Sequence, residues 1–171
     1  MNKLRLRFIG DPVLRMRAEP VRQIDDNIRS LLAVMEDIMR SEMGAGLAAP
    51  QVGILLRMLI FVEIKKGEPG ALYKMLNPRI VAESDSMVAI EEGCLSVQGE
   101  NGPVFVNVMR PESVVVEWTD ENGAGMRKEF GGYAARAVQH EIDHLDGILF
   151  VDRLSSVKRE MVMRKVKKRK L

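Results

Sequence analysis

The segment HEIDH, from His140 to His144, contains the only two histidines of the chain. Histidines four residues apart lie on one face of an α-helix, where both rings can bind the same metal ion. Glu141 lies about 100° around that helix from His140, where its carboxylate can reach a water molecule beside the metal. The apolar residues fall on the opposite face: Ala135, Val138, Ile142 and Leu145. The spacing therefore predicts a metal site on a helix that packs against a core, rather than a pair of surface histidines.

A catalytic metal site of this kind needs a third protein ligand and an open position. The chain has no third histidine, and the acidic residues after the motif do not show the arrangement of zincin metalloproteases. Cys94 is the only cysteine and the remaining soft ligand, and a metal ion would hold it as a thiolate. The residues alone leave a zincin-type endopeptidase open as an alternative, in which Cys94 would not bind the metal.

The length and the composition, with 46% hydrophobic and 29% charged residues, favour a single domain over residues 1–171. A lone cysteine cannot form an internal disulfide, which fits a reducing cytosol. The N-terminus lacks the apolar region of a signal peptide, and the longest apolar run, Met58 to Ile64, is too short to cross a bilayer. We therefore expect a cytoplasmic monomer that does not enter a membrane, with an organelle as the other location.

The charge of the chain is unevenly distributed. The net charge is +2, but residues 153–171 carry nine lysines and arginines and one acid, Glu160, so the rest of the chain is net acidic. A basic tail on an acidic body suggests a polyanionic neighbour. This tail is predicted to be a terminal helix, capped by Ser155 or Ser156. As an alternative to solvent exposure, the helix would pack on the body through Val162, Met163 and Val166.

The elements that must position these residues are predicted from periodicity. Apolar residues at helical spacing predict a helix over 26–43, with an N-cap at Asp25 or Asp26 and a stop at Gly44. Strands are predicted in RMLIFVEI, in LYKMLNPRIVAES with a bend at Asn77, in SMVAIEEGCLSV and in the hairpin ESVVVEWTDENGAGMRKEF. The segment GGYAARAVQHEIDHLDG is predicted to be a helix, and ILFVDRL a short strand or turn. Because the strands follow one another, the pattern predicts an α+β fold with antiparallel sheets.

Three separated segments together resemble the peptide deformylase family: GAGLAAPQ (44–51), EGCLS (92–96) and QHEIDH (139–144). The segments DPVLRMRAEPV and MLNPRIV are also similar to that family, and the resemblance extends to about Arg153. Many metalloenzymes share HExxH, but the three motifs in this order are specific. The resemblance implies antiparallel β-sheets packed around a central HExxH helix, with an N-terminal helix and a C-terminal helix.

The resemblance also implies an activity and a set of site residues. Family members hydrolyse N-formylmethionine at the start of new chains and release formate. Their metal ligands correspond here to Cys94, His140 and His144, and their general base corresponds to Glu141. The donors to the developing oxyanion correspond to the side-chain amide of Gln51 and the backbone N–H of Leu95. Many members use Fe²⁺, and the donor set also suits Zn²⁺, Ni²⁺ and Co²⁺.

For substrate binding, the resemblance implies that Ala45, Gly46 and Gly93 hold the peptide main chain. An apolar pocket for the methionine side chain is expected to include Ile90, Tyr133 and Ala137. Glu92 and Arg110 are expected to pair beneath the site. The chain departs from the family at Gln98, where a proline is common, and in a longer following loop, GENGPVFVNVM.

Two partners are expected: formylmethionyl nascent peptides, and the ribosome through the basic C-terminal tail, which some family members use for docking. A second alternative is a ribosome-binding domain without enzymatic activity, which would bind no metal. The presence of a general base next to the ligand set argues against that alternative.

Overall fold

The computed structural model describes residues 4–65 and 67–166. It contains three α-helices: α1 (Asp26–Ser41), α2 (Gly132–Leu145) and α3 (Ser156–Lys165). It contains nine strands: β1 (Gly46–Ala48), β2 (Met58–Lys65), β3 (Glu68–Glu83), β4 (Met87–Glu92), β5 (Gln98–Gly99), β6 (Gly102–Pro103), β7 (Val106–Pro111), β8 (Ser113–Thr119) and β9 (Gly125–Gly131). Short 3₁₀ helices cover Pro12–Arg15, Ala49–Val52 and Phe150–Arg153.

The main sheet has five antiparallel strands in the order β1-β2-β3-β8-β9, so β1 lies at an edge. Two smaller antiparallel pairs, β4-β7 and β5-β6, stand beside it. The bend predicted at Asn77 is present: this residue has a left-handed φ of 52°, and the pairing of β3 with β8 shifts between Leu76 and Arg79. The predicted fold class, α+β with antiparallel sheets around the HExxH helix, is confirmed.

The main sheet is covered on both faces, as the alternation of side chains along β2 shows. Met58 and Ile60 belong to an apolar cluster with α1, whereas Leu59 and Phe61 belong to a second cluster with α2. Successive side chains of a strand point to opposite faces of the sheet, so each face receives alternate residues. The HExxH helix therefore packs on one face of the sheet and the N-terminal helix on the other.

The helix α1 begins and ends close to the predicted positions. The carboxylate of Asp25 accepts a hydrogen bond from the N–H of Ile28 at 3.0 Å, as an N-cap does. The prediction that Gly44 stops the helix was displaced by one residue. Met43 has the left-handed φ of 54°, and the N–H of Gly44 donates to the carbonyl of Met39 at 2.8 Å. This is the hydrogen bonding of a Schellman ending with methionine in the usual glycine position.

A third apolar cluster joins the cysteine segment to the C-terminal part of the chain. Cys94, Val97 and Phe150 belong to it, together with Val162 of α3. ILFVDRL ends in a 3₁₀ helix, because the N–H of Asp152 donates to the carbonyl of Leu149 and no partner strand pairs with these residues in the part of the chain described.

The terminal helix is present and its N-cap is Ser155. Val162 and Val166 pack against the body, as expected if the helix is not simply exposed to solvent, whereas Met163 is exposed. The last four basic residues of the tail lie outside the described residues: Lys167, Lys168, Arg169 and Lys170. No helix in the described ranges is both long enough and apolar enough to span a membrane.

Candidate active site

The three predicted metal ligands converge in the folded chain. The donor atoms of Cys94, His140 and His144 all lie within 4.8 Å of one another, and all three residues are buried. The Sγ of Cys94 is 3.3 Å from Nε2 of His144. Ligands at ordinary zinc distances in a tetrahedron stand about 3.5 Å apart, so this spacing fits a shared ion. One thiolate and two imidazoles are also a donor set that transition metals bind, so the residues present fit a divalent metal.

The two histidine rings differ in hydrogen bonding and in the direction of their pKa shifts. Nδ1 of His140 lies 2.9 Å from Oε2 of Glu92, which leaves Nε2 of that ring as its coordinating atom. Burial alone would lower the pKa of His140, but hydrogen bonds with Cys94 and Glu92 outweigh burial and raise it. Burial, followed by the charge of His140, holds the pKa of His144 well below its usual value, so this ring is neutral. A neutral imidazole is the form that binds a metal.

A buried ionic network supports the ligand helix from behind. Arg110 donates to both oxygens of Glu92, at 2.6 and 2.9 Å, and to Asp143 at 2.7 Å. Arg136 also donates to Glu92, at 2.8 Å. Burial alone would raise the pKa of Glu92, but the hydrogen bonds from His140 and Arg110 outweigh it and hold the pKa well below the usual value. The carboxylate therefore stays charged and fixes the orientation of the His140 ring.

The carboxylate of Glu141 lines the cavity and is buried. Its Oε2 is buried and has no hydrogen-bond partner among the residues that the structure describes. Burial raises the pKa of Glu141 to about 7. A Cβ atom on Gly46 would lie 2.5 Å from Oε1 of Glu141, so only glycine lets the strand β1 approach this carboxylate so closely. A group with this pKa can exchange a proton near neutral pH.

Gln51 and Leu95 both line the cavity next to Cys94. The side chain of Gln51 accepts a hydrogen bond from the N–H of Ala48 at 2.8 Å, and its Nε2 donates to Ser96 at 3.2 Å. The same Nε2 lies 3.6 Å from Sγ of Cys94. The side chain of Gln51 therefore caps the turn that begins at Ala48, and its amide lies next to Cys94. Leu95 lines the same cavity.

These residues line a cavity of about 300 Å³ between β1, the EGCLS segment and α2. Ala45, Gly46 and Gly93 all line it, as predicted for residues that hold a peptide main chain. The carbonyl of Ala45 accepts a hydrogen bond from the N–H of Val62 within the sheet. Because hydrogen bonding alternates along a strand, the peptide groups of Gly46 face the open side of β1. An extended peptide can therefore add to this edge as a further strand.

Among the predicted pocket residues, Tyr133 and Ala137 line the cavity, but Ile90 does not. Ile90 pairs with Val108 inside the small β4-β7 sheet, and the lining begins at the next residue, Glu91. The apolar side chains of Val62 and Ile64 line the cavity as well.

Sequence reasoning missed Arg136, Asp143 and Phe105. Asp143 contacts Arg110, and Arg136 contacts Glu92, so both complete the network behind the ligands. The helical spacing of Arg136 and Asp143 relative to His140 was a signal for the first two. Phe105 comes from the loop that departs from the family pattern, where no periodicity indicates the direction of a side chain.

The comparisons with known proteins agree with this geometry. The family model described as polypeptide deformylase matches residues 3–160. A peptide deformylase of Brucella suis biovar 1 is 44% identical over 94% of this chain and 90% of its own length. A peptide deformylase of Endomicrobium trichonymphae is also 44% identical, over 99% of this chain and 97% of its own.

Solved structures are similar as well. The crystal structure of peptide deformylase from Ehrlichia chaffeensis has a TM-score of 0.88 at 36% identity, covering 95% of this chain and 93% of its own. That of peptide deformylase from Thermus thermophilus has a TM-score of 0.83 at 42% identity, covering 93% of this chain and 90% of its own.

The fold and the site define the chain as a hydrolase of the class that acts on a formyl-peptide amide. The chain belongs to the polypeptide deformylase family. The family predicted from the three motifs is thus confirmed, and the zincin alternative is not favoured.

Proposed function

We propose that this chain, as a single catalytic domain and a monomer, removes the formyl group from the N-terminal formylmethionine of newly made proteins and releases formate. The observation that carries the proposal is the convergence of Cys94, His140 and His144 beside Glu141. It is supported by the open edge of β1, which suits an extended peptide. The place of action would be the compartment where formylated chains are made, the cytoplasm of a bacterium or an organelle.

We assign Cys94, His140 and His144 as ligands of one divalent metal ion, with Fe²⁺ as the working metal. The same donors suit Zn²⁺, Ni²⁺ and Co²⁺. When bound, such an ion supplies a Lewis acid that makes water an effective nucleophile near neutral pH.

The residues of the chain supply the rest of the chemistry. Glu141, with its raised pKa, accepts a proton from the attacking water and returns it to the leaving amine, so that the formyl carbon leaves as formate. The amide of Gln51 and the N–H of Leu95 donate to the formyl oxygen as it gains negative charge. Ala45, Gly46 and Gly93 hold the peptide main chain, while the methionine side chain takes the apolar part of the cavity.

The activity is tested by measuring formate release from formyl-Met-Ala-Ser with anaerobically prepared protein, with metal analysis on the same sample. The matched variant is Glu141→Gln, which keeps the shape of the side chain and removes its basicity. We expect kcat to fall about 10²- to 10⁴-fold with the metal content unchanged. Wild-type protein that holds metal but releases no formate would overturn the proposal.

We also propose that the basic C-terminal helix contacts the ribosome. Lys158, Arg164 and Lys165 are exposed on α3, while Val162 anchors the helix to the body. Phosphate contacts by such side chains weaken steeply as salt increases.

Because Val162 is part of the core, the tail is best tested without removing the helix. We expect Lys158→Gln with Lys165→Gln, in a chain ended after Val166, to lower co-sedimentation with ribosomes at low salt and to spare turnover of formyl-Met-Ala-Ser. Equal co-sedimentation of this variant and the wild-type protein would contradict ribosome docking and leave the deformylase proposal intact.

A further inference from the structure

A chain of charge-assisted hydrogen bonds leads from His140 to the surface of the protein. It passes through Glu92 and Arg110 to Asp143, and it ends at Arg153. Arg153 donates to Asp143 through two nitrogens, from Nε to Oδ2 and from Nη2 to Oδ1, both at 2.6 Å. The side chain of Arg153 is 40% exposed, whereas those of Arg110 and Asp143 are 0% and 9% exposed. The chain therefore joins a buried ring to a residue that solvent can reach.

Asp143 sets the plane of the Arg110 guanidinium. Glu92 occupies Nε and Nη2 of Arg110, and the remaining nitrogen, Nη1, donates to Asp143 at 2.7 Å. The guanidinium is planar and rigid, so it cannot turn away from one carboxylate without also straining its bond to the other. The orientation in which Arg110 meets Glu92 thus depends on Asp143, and Glu92 in turn orients the ring of His140.

Two arginines share the single negative charge of Asp143. Arg110 and Arg153 both donate to Oδ2, but only Arg153 donates to Oδ1 in the part of the chain that the structure describes. Without Arg153, the carboxylate would keep one of these partners, on one oxygen, and could turn about its terminal bond. The pair also ties α2, which carries both histidines, to the 3₁₀ helix Phe150–Arg153. Arg153 therefore restrains both the side chain of Asp143 and the helix beneath it.

We propose that Arg153 is a positioning residue of the metal site, which keeps the ring of His140 in its coordinating orientation by holding Asp143. Arg153 does not line the cavity, so it acts through these neighbours and not on the peptide. The inference rests on the proposed function, since it assumes that Cys94, His140 and His144 bind one divalent ion. Residues bonded directly to a ligand typically contribute about 10- to 100-fold to metal affinity, and a residue further out contributes less.

The test measures how tightly the enzyme holds Co²⁺, which the donor set suits and whose visible d–d bands depend on its coordination. Wild-type protein and Arg153→Met are loaded with Co²⁺ without oxygen, and a chelator then competes for the ion. We expect the dissociation constant for Co²⁺ to rise roughly 3- to 10-fold in Arg153→Met, with a shift of the d–d bands. Arg153→Gln also removes the charge and should weaken binding as well, so it replaces Arg153→Met if that variant does not fold.

The matched control is Arg159→Met. Arg159 is 51% exposed and pairs at 3.4 Å with Asp152, the neighbour of Arg153 in the same 3₁₀ helix. This pair lies outside the chain of bonds that reaches His140. The control loses a positive charge and an ion pair close to Arg153, but its affinity for Co²⁺ and its spectrum should equal those of wild type.

Wild-type affinity and spectrum in a folded Arg153→Met, or in Arg153→Gln, would overturn the inference. An equal loss of affinity in Arg159→Met would also overturn it, because the effect would then come from net charge or stability. Co²⁺-loaded wild-type protein that releases no formate from formyl-Met-Ala-Ser would instead contradict the proposed function. The metal affinities of the variants would still decide the role of Arg153.

Discussion

The inner end of the cavity, around Glu92, His140 and Glu141, differs from its mouth, around Met43 and Phe105, in which kind of side chain is buried and which is exposed. At the inner end, charged and metal-ligating side chains are buried, and most of them are held by ion pairs: Glu92 alone receives contacts from Arg110, Arg136 and His140. At the mouth, apolar side chains such as Met43 and Phe105 are exposed. Under the proposed function, the difference indicates that the chemistry requires fixed geometry, whereas the choice of peptide needs only a surface that tolerates change.

The largest expected effect is at the inner end. Cys94→Ala removes one of the three proposed ligands, so we expect bound metal to fall from about one ion per chain to nearly none, with loss of turnover. Metal analysis after dialysis, together with circular dichroism, separates this from unfolding. Retention of metal by a folded variant would support a zincin-type site without the cysteine. It would also show that the inner end does not depend on this buried thiol.

The next effect concerns the buried network. Arg110→Met removes a buried counter-charge from both Glu92 and Asp143, although Arg136 and Arg153 remain, so we expect the free energy of unfolding to fall by about 3–5 kcal/mol. The matched control is Arg79→Met, since Arg79 is 73% exposed and pairs with Glu117 on the surface. That variant should lose less than about 1 kcal/mol. Urea unfolding measures both, and similar losses would show that burial does not distinguish the two pairs.

At the mouth, a substitution should even stabilise the protein. Met43 holds a left-handed φ, which costs a non-glycine residue about 1 kcal/mol. Met43→Gly should therefore raise the free energy of unfolding by about 0.5–1 kcal/mol, because glycine adopts this conformation freely. Thermal unfolding checks the sign. A clear loss of stability would mean that the exposed methionine makes contacts that the mouth depends on.

The smallest effect is at a surface pair away from the cavity. Burial alone would raise the pKa of Asp152, but hydrogen bonds from Arg15 and from the N–H of Leu149 outweigh it and lower the pKa. The stability that this carboxylate contributes is therefore present above its unfolded pKa and is lost as pH falls through the lower folded value.

Asp152→Asn should cost under about 1 kcal/mol at pH 7, and the difference from wild type should begin to shrink below about pH 4 and vanish only below the lower folded pKa of Asp152. Urea unfolding at a series of pH values measures it. A difference that stays constant down to about pH 2 would show that the charge of Asp152 is not responsible.

The sequence predicted the inner end far better than the mouth. His140, His144 and Glu141 follow from helical spacing, and Cys94 follows from the shortage of other ligands and from the family motif. These positions follow from local spacing or belong to motifs shared with the family. The Phe105 loop meets neither condition, since its course is set by long-range contacts such as that of Val104 with Val97.

Other differences have the same origin. Strand β1 has three residues, too few for a periodic pattern, and forms because β2 offers it a partner. Ile90 was a candidate for the apolar methionine pocket, but it pairs with Val108 in the β4-β7 sheet and does not line the cavity. Gly44 was expected at the helix end, and the chain uses Met43 there instead.

The open edge of β1 has a consequence for timing. A site that pairs with main-chain groups accepts many different sequences, but only while their first residues are extended and unpaired. Once those residues enter a helix or a sheet of their own, their N–H and C=O groups are no longer available to Gly46. Under the proposed function, the enzyme therefore competes with the folding of its substrates, and the interval between emergence and folding of an N-terminus limits the processing of each protein.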